Sequence, residues 1–351
     1  MASGVIQHES MQNILIIKLR YLGDVLLATP VLQALRKAWP QARVTVAVNR
    51  GTEAILTHHP CVDEILVVDR FNWRSQWALL RDLRRRRFDC VLDLSDSDRS
   101  AVLTMASGAP TRVGFNWEHR WRGLVYTNIV EAAYGDMHIV DYDLATLEPL
   151  GIAPATGQPS IHLGTKDEAE ASRLIDETEL AGRLWIMIHP GARYWFKSWA
   201  EERFAALIDH LALRGLPSAL VGGVGDREKA GRIASLCRRP PIDLVGRTSV
   251  MGLAALMKHA TLFIGNDAGP MHMAAALGVP VVGLFGPSDP RVWGPRGACV
   301  DVLYKGMDCR GCFHPACERG AESCMNQITV AEVMQAVDRM LARTEVSSGR
   351  R

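Results

Sequence analysis

Several stretches of this 351-residue chain combine acids, cations and glycines in patterns that could do chemistry. In Arg20-Tyr21-Leu22-Gly23-Asp24-Val25 a carboxylate follows an apolar run. It falls at the turn between a first strand and a first helix, where parallel-sheet proteins gather their ligands. Asp24 is placed there to act as a general base, or alternatively to cap the helix beginning at Val25, since Asp is a preferred cap. His189-Pro190-Gly191-Ala192-Arg193, followed by Lys197-Ser198-Trp199, joins a tight turn to two cations. Lys197 could neutralise a diphosphate as its charge builds on leaving. The alternative for Lys197, as for Arg193, is a solvated surface cation.

Gly222-Gly223-Val224-Gly225-Asp226 lets backbone approach a ligand closely before a helix that starts near Arg227, but it lacks the full dinucleotide-binding spacing. Glu228, in the first turn of that helix, could hydrogen-bond a ribose or simply complement the helix dipole. The most informative stretch is Gly265-Asn266-Asp267-Ala268-Gly269-Pro270-Met271-His272, followed by small residues and Gly278-Val279-Pro280. A strand ending in a turn, then a helix start, aims backbone N–H groups from about Gly269 to His272 and the positive dipole end outward, which makes an anion site. His272 reads equally as a capping or core histidine.

These residues need a parallel α/β frame. Strands are expected at 14–18, 44–48, 65–68 and 90–94, with helices at 25–39 and 73–87 between them. A Gly, Pro, Ala and Thr-rich stretch at 150–160 reads as a linker. Beyond it the alternation restarts with strands at 184–188, 219–221, 262–264 and 281–285 and helices at 201–214 and 250–258. A final amphipathic helix is expected at 330–341, with Thr329 as its cap and a polar, disordered tail at 343–351. The expected domains are 1–155, 156–330 and a terminal helix and tail at 331–351.

Composition narrows the function. With 40 basic and 38 acidic residues, the chain has no global footprint of a nucleic-acid binder. The first apolar run is too short to span a bilayer and the N-terminus lacks a signal core, so a cytoplasmic protein is expected. Eight cysteines do not make a disulfide scaffold at this length. Four of them, Cys309, Cys312, Cys317 and Cys324, have spacings that zinc or an iron–sulfur cluster could use, with His314 as a substitute ligand. They could also be buried thiols without metal.

Taken together, Lys18-Leu19-Arg20-Tyr21-Leu22-Gly23-Asp24-Val25, His189-Pro190-Gly191-Ala192 with Lys197 and Trp199, and Asn266-Asp267-Ala268-Gly269-Pro270-Met271-His272 with Gly286-Pro287-Ser288 resemble the ADP-heptose:lipopolysaccharide heptosyltransferase family. The likeness covers nearly the whole chain, and its Lys-Leu-Arg opening is closest to the heptosyltransferase III branch. The resemblance implies a GT-B architecture, with two Rossmann-like domains facing a central cleft, the first binding acceptor and the second the nucleotide sugar. It also implies an inverting, metal-independent transfer of heptose from ADP-heptose to the lipopolysaccharide inner core. In that scheme Asp24 is the base and Lys197 holds phosphate and sugar oxygens. Asp267 contacts the heptose, and Glu228 the adenosine ribose.

His189, Gly191, Arg193, Gly222, Gly223 and the segment Ala268, Gly269, Pro270, Met271 and His272 complete the implied donor site. Gly23, Arg120 and Arg122 fall to the acceptor. Ala268 departs from the family, where a hydroxyl residue is usual. Phe71, Trp73 and Trp77 with Arg81 and Arg84-Arg85-Arg86-Arg87 suggest a helix that rests on the cytoplasmic face of the inner membrane, or else a solvated face over core aromatics. A nucleotide-sugar epimerase and a non-catalytic nucleotide-sugar or lipopolysaccharide binder stand as alternatives.

Overall fold

The computed structural model describes residues 11–69, 73–153, 157–306, 309, 312 and 317–347. Phe71, His314 and the side chain of Trp73, all named above, lie outside the described residues. The chain forms two compact units, which divide between His162 and Leu163. This division falls a few residues beyond the expected boundary, because Ser160 is tied to the first unit: its N–H donates to Thr29 Oγ1 (3.0 Å) and its hydroxyl accepts from Gln33 Nε2 (2.8 Å).

In the first unit, strands β1 (Asn13–Lys18), β2 (Arg43–Asn49), β3 (Glu64–Val68), β4 (Cys90–Asp93), β5 (Thr111–Phe115) and β6 (Asn128–Val130) form one sheet. It is parallel throughout, in the order β3-β2-β1-β4-β5-β6. Helices α1 (Leu22–Leu27), α2 (Thr29–Ala38), α3 (Trp73–Arg85), α4 (Asp98–Ser107) and α5 (Ile139–Leu144) accompany it. β1 and β4 are apolar and almost wholly buried, as central strands covered on both faces must be.

The single helix expected over 25–39 is two, meeting at Ala28. Pro30 has no N–H to give the Leu26 carbonyl, which accepts the Thr29 hydroxyl instead (2.7 Å).

The second unit repeats the plan. β7 (Ile186–His189), β8 (Ser218–Leu220), β9 (Ile242–Asp243), β10 (Leu262–Asn266), β11 (Val281–Phe285) and β12 (Val300–Tyr304) form a parallel sheet ordered β12-β11-β10-β7-β8-β9. The helices are α6 (Thr165–Asp176), α7 (Glu201–Leu213), α8 (Arg227–Leu236), α9 (Val250–Met257), α10 (Gly269–Ala276), α11 (Pro290–Trp293), α12 (Cys324–Gln327) and α13 (Val330–Ser347). α13 packs on α7 and on β10 to β12, with Val333, Ala336, Val337 and Met340 in the core. It continues to Ser347, through residues expected to be tail.

Counted within each unit, both sheets run 3-2-1-4-5-6, the doubly wound order. Its topological switch lies between β1 and β4 in the first unit and between β7 and β10 in the second. In such sheets ligands bind outside the carboxyl ends of the strands at that switch.

Candidate active site

Asp24 follows β1, at the first switch point. It is the third residue of α1, whose N-cap is Tyr21 in extended conformation, so Asp24 does not cap the helix. Its carboxyl is half-buried and held above the usual aspartate range, chiefly by burial. The charges of Lys18 and Arg20 and the N–H groups of Tyr21 and Asp24 pull the other way. Lys18 is itself buried, donating to both Asp143 carboxylate oxygens (2.6 and 2.9 Å) and to the Leu94 carbonyl (2.9 Å). Gly23 is buried in the same turn.

The end of β4 closes against β1. Leu19 N–H donates to Ser95 Oγ (2.6 Å), and Arg20 reaches the Ser95 carbonyl (3.2 Å). Asp93 accepts from Ser95 N–H and from Tyr126 Oη, and full burial pushes its carboxyl up to about 6. Composition and spacing did not single out Asp93, Asp96 or Asp143. The run Asp93-Leu-Ser-Asp96-Ser-Asp98 at the end of an expected strand was the available signal, since the switch-point rule that selects Asp24 selects β4 as well.

Arg122 differs from expectation. Its side chain is 3% exposed and paired with Asp96 (2.8 Å), Glu118 (3.0 Å) and Asp98 (3.7 Å), so its charge is neutralised inside the fold instead of offered to an acceptor phosphate. It is the only buried residue of the 3-10 turn at Trp121–Leu124, whose Trp121 and Leu124 are exposed. Arg120 is half-exposed and pairs with Asp98 and Glu118.

In the second unit the sequence candidates converge at the other switch. Lys197, in a 3-10 turn after β7, donates to Asp267 Oδ2 at 2.6 Å; Asp267 follows β10 and is buried. Asn266 ties the two strand ends together, giving its Nδ2 hydrogens to the Pro190 carbonyl (2.9 Å) and accepting Trp199 N–H (3.1 Å). His189 is buried, which lowers its pKa to about 4, and its Nε2 lies 4.0 Å from Asp226. Gly191 and Gly222 leave room for Asp226, whose carboxylate would sit 2.6 Å from a Cβ added at either position. Asp226 in turn accepts Gly223 N–H (2.8 Å).

α10 begins beside Asp267. Ala268 is its N-cap and provides no side-chain cap. The first turn presents Gly269 N–H; Pro270 has none, and Met271 N–H returns to the Ala268 carbonyl (3.0 Å). The Met271 side chain is core, and His272 is 6% exposed. The anion end of α10 therefore has fewer backbone donors than its sequence suggests.

Two candidates stand apart. The Glu228 side chain is 89% exposed and pairs with Arg232 (2.6 Å), and Arg193 is exposed, its guanidinium 5.7 Å from the Tyr194 ring. Among the described residues no group of three or more His, Cys, Asp or Glu side chains could hold a metal ion. Cys324 heads α12 and is buried against the core, yet its thiol stays within electrostatic reach of Cys312, Cys309 and Cys317; burial, and then these neighbours, raise its pKa.

The family model for glycosyltransferase family 9 (heptosyltransferase) matches residues 76–321. Lipopolysaccharide heptosyltransferase 3 of Escherichia coli is 30% identical over 336 residues, 92% of this chain and 97% of that protein. Among solved structures, the family 9 glycosyl transferase of Veillonella parvula superposes with a TM-score of 0.83 at 26% identity, over 95% of this chain and 99% of that one. The E. coli ADP-heptose lps heptosyltransferase II superposes with a TM-score of 0.76 at 21% identity, over 95% and 100%. Twice-repeated doubly wound sheets, strand-end acids and a lysine at their switch points, and a family match across most of the chain have one reading: this protein belongs to glycosyltransferase family 9, the heptosyltransferases.

Proposed function

We propose that this protein transfers a heptose from ADP-heptose to the core of lipopolysaccharide, with inversion, in a single displacement. The observation that carries the reading is the Lys197–Asp267 pair at the second switch point, next to the start of α10. It sets a cation for a diphosphate and a carboxylate for sugar hydroxyls within one hydrogen bond of each other. The likeness to lipopolysaccharide heptosyltransferase 3 supports the choice of sugar and acceptor.

The acceptor hydroxyl oxygen attacks the anomeric carbon while the bond from that carbon to the diphosphate oxygen breaks, its electron pair leaving with ADP. Asp24 takes the hydroxyl proton; burial raises its basicity above that of a solvated aspartate. Lys197 and the positive end of α10 meet the charge growing on the leaving diphosphate. Asp267, oriented by Lys197, accepts from heptose hydroxyls.

No helix among the described residues is long and apolar enough to cross a membrane. The exposed Trp77, Arg81, Arg84 and Arg85 of α3 are the surface by which the enzyme would meet the anionic cytoplasmic face of the inner membrane, where a lipid-anchored acceptor is presented.

The test is to incubate the purified protein with ADP-heptose and a heptose-deficient core oligosaccharide and follow both products by mass spectrometry. One added heptose with stoichiometric ADP supports the reading. An isomerised sugar nucleotide formed without acceptor, or saturable binding with no product, contradicts it.

A further inference from the structure

We infer that the exposed rings of Trp117 and Tyr134, bordered by Asp96 and packed close to the buried Tyr142 and Arg122, form a subsite for a neutral sugar ring of the acceptor. This inference rests on the transfer reading above and names the chemistry of its acceptor side. Trp117 and Tyr134 are 44% and 41% exposed, and their rings lie nearly parallel, 14° apart with centroids at 6.4 Å. Two half-exposed aromatic faces side by side offer an apolar floor to the C–H face of a pyranose, while polar groups at its border take the hydroxyls. Tyr134 sits within electrostatic reach of Asp24 and Arg20, so a ring seated on this floor lies near the expected base.

Three polar atoms close to these rings carry no hydrogen bond. Tyr142 Oη, Asp96 Oδ1 and Arg122 Nε are all buried without a hydrogen bond among the described residues. They are neighbours. Tyr142 meets Tyr134 edge to face at 5.7 Å and stacks on Phe115 at 3.8 Å, which fixes its ring. Asp96 accepts Trp117 Nε1–H at 3.1 Å through its other oxygen, and its Oδ1 is 2.8 Å from Arg122 in an ion pair without hydrogen-bond alignment.

Burying a polar atom without a hydrogen bond costs about 1–3 kcal/mol, a cost that a ligand hydroxyl or a water at this place would relieve. Asp96 also holds a left-handed backbone (φ 45°), a conformation uncommon outside glycine and concentrated at functional sites.

Charge selects the class of sugar. Asp96, Asp98 and Glu118 surround Arg120 and Arg122, so the cations here are already answered by carboxylates. A phosphate would meet three acids at this place. A neutral ring brings no negative charge to these acids, and its hydroxyls can donate to carboxylate oxygens at the border of the floor.

The test is a titration of a dephosphorylated, heptose-containing core oligosaccharide into the wild-type protein and into Trp117→Ala, Trp117→Phe and Tyr142→Phe, without donor, by calorimetry. Acceptor KM, ADP affinity and Tm are measured in parallel. We expect Trp117→Ala to weaken oligosaccharide binding roughly tenfold or more and Trp117→Phe to restore most of it. Tyr142→Phe removes only an unpartnered hydroxyl. It should weaken binding several-fold with Tm unchanged or raised, and ADP affinity should stay the same throughout.

Wild-type affinity in both Trp117→Ala and Tyr142→Phe would overturn the subsite and leave a structural water as the partner of these atoms. A loss that tracks Tm or ADP affinity would overturn it as well. If the wild-type protein binds the oligosaccharide in this way but transfers no heptose, the transfer reading fails and the subsite stands. If it transfers heptose while the variants keep their acceptor KM, the reverse holds.

Discussion

Asp24 and Asp93 are both carboxyls held above the normal aspartate range by burial, yet they differ in what that basicity serves. Asp24 is half-buried just after β1, and its proposed role is that of the base. Replacing it with Asn should lower kcat by roughly 10²–10⁴ while ADP-heptose binding persists, as measured by steady-state kinetics beside a donor titration. Because the ionised form is the base, kcat/KM should fall as pH drops through a pKa above 3.8, and Asp24→Asn should lose that acid limb.

Asp93 is fully buried, and its effect is on stability. Its folded pKa of about 6 exceeds the unfolded value, so the folded state binds the extra proton and stability falls as pH rises from about 4 through 6. Between pH 4 and 7 the unfolding free energy of Asp93→Asn should gain on the wild type by about 2–3 kcal/mol, read by denaturant titration at each pH. An unchanged difference would mean that the hydrogen bonds from Ser95 and Tyr126 cancel the burial.

Lys197→Met leaves Asp267 buried without its cation. It should lower stability by about 1–3 kcal/mol in thermal melts and raise donor KM together with a drop in kcat. Asp24, Lys197 and Asp267, the residues proposed to act, stood out in the sequence because each lies in the segment that follows a strand-like apolar run. Asp96 was harder to select, since its place depends on β4 lying in register beside β1, with Ile14 opposite Cys90 and Ile17 opposite Asp93, and Tyr142 is placed by its stacking on Phe115 of β5.

Among the elements, α10 is the one whose ending matters most to the proposed donor site. It starts without a side-chain cap, with one N–H removed by Pro270. Ala268→Ser should add a cap worth about 1 kcal/mol to helix stability and a hydroxyl near the proposed diphosphate position. Tm should rise both with and without ADP, and donor KM should fall. A raised Tm with unchanged donor KM would separate the cap from the ligand.

The long buried strands were readable from apolar runs, and 281–285 was placed at its observed bounds. β6, with three residues, and β9, with two, carry too short a pattern to be recognised before their partners are known. The break between α1 and α2 had a visible cause in Pro30, but apolar spacing continued across it and concealed the interruption. The burial of Arg122 was hidden for a related reason: basic residues in a loop look solvated until the fold surrounds them with acids.

For the whole molecule, the repeated 3-2-1-4-5-6 order explains why the residues proposed for chemistry gather at two places. Each sheet has one switch point, and each carries a strand-end aspartate in contact with, or under the charge of, a lysine. The alternation of strands and helices made this duplication legible, whereas the strand order needed the pairings themselves. The account is tested most directly by a transfer assay with purified wild-type and Asp24→Asn proteins, ADP-heptose and a heptose-deficient lipopolysaccharide core, read by mass spectrometry of the core. It predicts one added heptose with the wild type and almost none with Asp24→Asn, although both bind ADP. Equal transfer by the two proteins, or none by the wild type, would contradict it.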